Sequence, residues 1–125
     1  DEEKISATIS RSRNSNLVTI LCTADIGKTI SGAKLEPDMI AIEPPELIGG
    51  DISVSTANPE IISETVSKVS EISSNIKILC GAGVKTRDDV SKAFELGVDG
   101  ILLASGVVLS NNPRKTLHEL VLGIV

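Results

Sequence analysis

The stretch "DMIAIEPPELIGG", residues 38–50, decides how the chain folds. Met39, Ile40, Ala41 and Ile42 form an apolar run without alternation, closed by Glu43 and two prolines. A strand that is apolar on both faces belongs in a parallel sheet, which is covered on both sides. Working outward, "LVTILC" at 17–22, "IKILC" at 76–80 and "DGILLAS" at 99–105 have the same character. All are expected to be strands buried on both faces.

Helical patterns lie between these runs. The first dozen residues form one, broken at "RNSN", and residues 25–34 form a short second one. Residues 59–73 open with Asn58 as cap and Pro59 in the first turn, and Ile62, Val66 and Val69 share a face. Residues 87–96 begin with Thr86 and Asp89 at capping-box spacing and stop at Gly97. Asn112-Pro113 opens a last helix, whose apolar stripe is Leu117, Leu120, Val121 and Ile124. The order is a helix and then four βα units, an α/β chain with right-handed crossovers and a parallel sheet. Four such units make about half of a (β/α)8 barrel, which takes about 250 residues. An isolated half leaves two strand edges open. With no initiating Met, the chain is expected to be part of a larger barrel or to meet a complementary half.

Composition narrows the function. The 125 residues are 41% hydrophobic and carry a formal charge of −5. That is the wrong sign for a nucleic-acid surface, and Phe94 alone offers no aromatic platform for bases. No apolar run is long enough for a membrane span. The polar N-terminus is no signal peptide. Cys22 and Cys80 each end a strand-like run and are expected to be buried, reduced thiols rather than a pair. No Cys/His spacing suggests a metal.

In parallel α/β folds, ligands bind beyond the carboxyl ends of the strands. Glu43 stands at the end of the second predicted strand. Gly81-Ala82-Gly83 follows the third, and Ala104-Ser105-Gly106 follows the fourth. Glycine lets a phosphate approach backbone N–H groups, so two consecutive small-residue loops suggest a phosphate site. Alternatively, these glycines only make tight turns. Glu43 could cap a helix or pair with a lysine. The prolines favour another role: Pro44 keeps Glu43 extended and Pro45 stiffens the loop base, which suits a carboxylate positioned for proton abstraction. The loop beyond, with Leu47 and Ile48 as an apolar tip and Gly49-Gly50 behind it, has the make-up of a lid.

"DMIAIEPPELIGGDISVSTANPEII", "IKILCGAGVKTRDDVSKAFELGVDGILLASGVV" and "NNPRKTLHELV" together resemble the triosephosphate isomerase family in its short archaeal form. The likeness runs from about Leu17 to the end. "EPPELIGG" is its specific part; the glycine loops are shared with other phosphate-binding barrels. The resemblance implies strands five to eight of a (β/α)8 barrel, preceded by the end of helix four. It implies Glu43 as general base, Ile48 and Gly49 as closing loop residues, Gly83 as the phosphate-facing glycine, and Ala104 and Ser105 as the last phosphate loop. It further implies a phosphorylated triose substrate, no cofactor, a cytoplasmic location, an N-terminal half of the same barrel, and a homotetramer. The family's asparagine–lysine pair and histidine electrophile have no counterpart in the chain. His118 sits in the terminal helix as an exposed-face residue, and Lys28 and Lys85 match no catalytic position. The alternatives are another phosphate-binding barrel enzyme and a non-catalytic, self-associating half-barrel.

Overall fold

A computed structural model describes residues 1–48, 50 and 52–124. The chain begins with α1 (Glu2–Asn14), capped by the Asp1 carboxylate on Lys4 N–H. Then come β1 (Ile20–Thr23), α2 (Ile26–Ala33) and β2 (Met39–Ile42). A single 3₁₀ turn, Pro45–Leu47, and a four-residue helix, α3 (Val54–Ala57), precede α4 (Pro59–Ile72). The remainder is β3 (Lys77–Cys80), α5 (Arg87–Glu95), β4 (Gly100–Ile101), a second four-residue helix α6 (Ser105–Val108), and α7 (Pro113–Val121).

The strands form one sheet in the order β1-β2-β3-β4, every pair parallel. Register places Cys22 beside Ala41 and Leu79 beside Gly100. This is half of a (β/α)8 barrel. The caps fall where the sequence places them. Asn58 accepts from Ile61 N–H and Asn112 from Lys115 N–H. Thr86 and Asp89 form a reciprocal capping box, and Gly97 takes φ +95°.

The core lies between the outer face of the sheet and the helices. Ile40, Ile42, Ile62, Val69 and Ala93 are fully buried there. Buried hydroxyls join it: Thr23 and Thr29 share a hydrogen bond of 2.7 Å, and Thr29 donates to Asp25 O at 2.8 Å. The pair fastens β1 to α2 and satisfies both of its hydroxyls, whereas the buried Thr65 Oγ1 has no hydrogen-bond partner among the described residues.

The other face of the sheet is open, and this corrects three expectations. First, β1 is not buried on both faces: Ile20 is 46% exposed. Leu17 and Val18 are exposed as well and precede the strand. Second, Cys22 is exposed, while Cys80 is buried; both are free thiols. Cys22 is on the inner face, where nothing in the described chain covers it. Third, of the last helix's stripe only Leu120 is buried; Leu117, Val121 and Ile124 are about half exposed. They line a cleft of about 520 Å³ with Phe94 and Ile101, along the strand edge that lacks a neighbour. At the same edge β4 is two residues long and pairs with β3 alone. No helix among the described residues is long and apolar enough to cross a membrane.

Candidate functional site

The end of β2 passes directly into the site. Glu43 N–H donates to Thr23 O at 2.8 Å, so the residue still follows the ladder. Its side chain lies on the inner face, against Gly81, the first residue after β3. A Cβ on Gly81 would sit 2.5 Å from Glu43 Cγ, so only glycine allows the carboxylate to lie there. Gly81 N–H in turn donates to Ile42 O at 3.1 Å.

After Glu43 the two prolines direct the chain into the 3₁₀ turn. Pro44 O accepts from Leu47 N–H at 3.0 Å, and Leu47 O accepts from Gly50 N–H at 3.1 Å. Leu47 packs against the core instead of forming an exposed tip; Ile48 is the exposed apolar residue. The bend turns Leu47 inward and leaves Ile48 facing the cavity. Gly49 lies outside the described residues.

The strand-three loop is held in an unusual backbone form. Ala82 and Gly83 have φ of +68° and +71°. Gly83 cannot carry a side chain, because its Cβ would fall 2.2 Å from Ile52 O. Successive backbone N–H groups in tight turns form concave anion-binding sites in many proteins. After β4, α6 starts at Ser105, and its first internal donors are Val107 and Val108, both to Ala104 O. The amides of Ser105 and Gly106 precede them, as the first N–H groups of any helix do.

One cavity of about 210 Å³ gathers these pieces. Glu43, Ile48, Gly83, Ala104 and Ser105 all line it. Lys85, set aside by motif position, lines it too. Its place follows from the tight turn at 82–83, which brings the next residues to the rim; the short spacing after Gly83 is the one signal in the sequence. His118 is exposed on α7 and does not line the cavity.

Cys22 also belongs to this neighbourhood. Its thiol is pushed up to about 11, first by desolvation and then by the Glu43 carboxylate beside it, which accepts its hydrogen bond and repels a thiolate. Cys80, on the outer face, is pushed up to about 12, chiefly by burial. Neither is a reactive thiol at neutral pH. Among the described residues, no group of three or more His, Cys, Asp or Glu side chains could hold a metal ion.

Comparison with known proteins bears on this arrangement. Among solved structures, a thiamine phosphate pyrophosphorylase from Pyrococcus furiosus superposes with a TM-score of 0.72 at 18% identity, over 96% of this chain and 54% of that one. A mandelate oxidase bound to benzoyl-formic acid gives 0.75 at 18% identity, over 99% and 37%. At that identity the likeness concerns the fold alone. Sequence relatives are nearer. The triosephosphate isomerase of Methanocaldococcus jannaschii is 49% identical over 117 residues, 94% of this chain and 53% of that protein. Those of Methanobacterium bryantii and Archaeoglobus fulgidus are 45% and 44% identical, with 94% of this chain and 52% of each protein covered. The chain thus spans about half the length of these relatives. The family model described as triosephosphate isomerase matches residues 1–121. With nearly its whole length inside that match, the chain belongs to the triosephosphate isomerase family.

Proposed function

We propose that the chain supplies the base and the phosphate-binding half of a triosephosphate isomerase site. In this reading α1 is the end of the fourth barrel helix, and β1–β4 are strands five to eight. The substrates are dihydroxyacetone phosphate and glyceraldehyde 3-phosphate. The observation that carries it is the single cavity shared by Glu43 and the glycine loops after β3 and β4.

The chemistry follows from that placement. Backbone amides at Gly83, Ser105 and Gly106 bind the phosphate and fix the three-carbon unit. Glu43 removes a proton from the carbon beside the carbonyl, giving an enediolate, and returns it to the neighbouring carbon. The net change moves one proton between the two carbons and one hydroxyl proton between their oxygens, with no cofactor. Ile48, carried on the loop after Glu43, shields the carbanionic carbon from water. The family's histidine and asparagine–lysine pair, which would meet the enediolate oxygens, have no counterpart in the chain, so an N-terminal half completes the site. The assembled enzyme is a cytoplasmic homotetramer serving glycolysis and gluconeogenesis. Assaying the interconversion in the full-length protein tests this: Glu43→Gln should lower kcat about a thousandfold. Unchanged kcat would remove Glu43 from the chemistry.

A second reading has one observation in its favour. The open inner face and the half-exposed Leu117, Val121 and Ile124 suit self-association of the half-barrel. A stable symmetric oligomer that binds phosphate without turnover would support it.

A further inference from the structure

Asp89 has a second task beyond capping α5. Its Oδ2 accepts from Lys85 N–H at 3.1 Å, Thr86 N–H at 2.9 Å and the Thr86 hydroxyl at 2.8 Å. One oxygen therefore holds the end of the strand-three loop. Its Oδ1 faces the other way, toward α3, and accepts from the Thr56 hydroxyl at 3.4 Å. Beneath it, Ser53 and Ser55 are 1% and 0% exposed, and their hydroxyls lie 2.5 Å apart. Ser55 donates onward to Asp89 O at 3.0 Å. These serines end the loop that begins at Glu43.

The backbones touch at the same place. Val54 N–H donates to Ala82 O at 3.2 Å, and Ile52 O lies over Gly83. Two loops that meet phosphate are thus joined at their far ends by one carboxylate and two buried hydroxyls. A carboxylate has acceptors on both oxygens; an amide in its place presents NH₂ on one side and loses either the three loop donors or the Thr56 donor on α3.

We propose that Asp89 is a positioning residue that holds the far end of the Glu43 loop in register with the strand-three phosphate loop. Oδ2 sets the backbone at Lys85 and Thr86, while Oδ1 through Thr56, and the Asp89 carbonyl through Ser55 and Ser53, seat residues 53–56 on it. Phosphate at Gly83 is thereby felt at α3, outside the cavity. The functional part of this claim rests on the phosphate-binding reading above; the structural link does not.

The test uses the ¹⁵N-labelled chain and inorganic phosphate. Phosphate should shift the amide signals of Gly83 and Gly106, and also those of residues 53–56. In Asp89→Asn, and in Ser53→Ala, which leaves the α5 cap intact, Gly83 and Gly106 should still respond while residues 53–56 should not. A response at 53–56 that persists in both variants overturns the proposal, as does its absence in the unmodified chain when Gly83 responds. Should phosphate move no cavity amide, the binding reading fails by itself. Hydrogen exchange at Val54 N–H, measured without phosphate, then judges the link. Protection falling about tenfold in both variants supports it, and unchanged protection overturns it.

Discussion

Glu43 rests on Gly81 so closely that a methyl group added at Gly81 would fall 2.5 Å from its Cγ and 2.6 Å from its Oε1. The base is therefore positioned from two sides, by the prolines that follow it and by the missing side chain on the next strand. Gly81→Ala should push the carboxylate away from the cavity without adding charge or breaking a ladder bond. Displacement of about 1 Å at a reacting group can cost about a hundredfold. Steady-state kinetics of the full-length protein, assayed for the proposed isomerisation, should show a kcat loss of that order with KM little changed. Wild-type kcat in the alanine variant would mean that the contact does not aim the base.

Cys22 reports on both Glu43 and the open face. Although exposed, it should alkylate slowly with iodoacetamide at pH 8, because its thiol is pushed up to about 11. Glu43→Gln removes the charge repulsion but not the desolvation, so the rate should rise several-fold. Cys80, buried, should stay unlabelled in either case. When a complementary half covers the inner face, Cys22 should become protected; mass-spectrometric labelling distinguishes these outcomes.

Three carboxylates make the fold sensitive to acid. Asp38 is held below the ordinary 3.8 by the Thr19 N–H and hydroxyl. In Asp89 and Asp99, desolvation acts upward but is outweighed. The groups responsible are Lys85 and Thr86 for Asp89, and Ile78 N–H with Lys77 for Asp99. A depressed folded pKa stabilises the fold above the unfolded value, and that stability is lost as pH falls through the folded value. Stability should therefore hold from neutrality to about pH 4 and decline below it. Asp99→Asn should be less stable than the wild type at pH 7, with the gap closing below about pH 4. Urea denaturation at the two pH values checks the sign; a gap that widens in acid contradicts it.

Much of this architecture could be read from the chain itself. The strand centres, the caps at Asn58, Thr86 and Asn112, and the Gly97 stop depend on local chemistry, so local sequence was enough. Glu43 and the loops after β3 and β4 could be placed because strand ends converge in any parallel sheet. What could not be read depends on distant neighbours. Helices α3 and α6 have four residues each, too few to show a helical period. The exposure of Ile20, Cys22, Leu117 and Val121 reflects an uncovered face, and an apolar residue looks the same in sequence whether or not a partner covers it. Leu47 turns inward through a 3₁₀ bend that the prolines permit but do not announce. Asp89 was legible as a cap, whereas its contact with Thr56, 33 residues away in sequence, was not.

Assigning the base and phosphate loops to this chain, and the electrophile to another segment, has a direct measurement. Conversion of glyceraldehyde 3-phosphate is followed with residues 1–125 alone, and again after mixing with the non-overlapping half of the Methanocaldococcus jannaschii relative. Cys22 protection and molecular size serve to verify assembly. The chain alone should show no turnover, the assembled mixture should show it, and Glu43→Gln should abolish it without preventing assembly. Turnover by residues 1–125 alone, or an assembled Glu43→Gln mixture as fast as the unmodified one, would contradict the assignment.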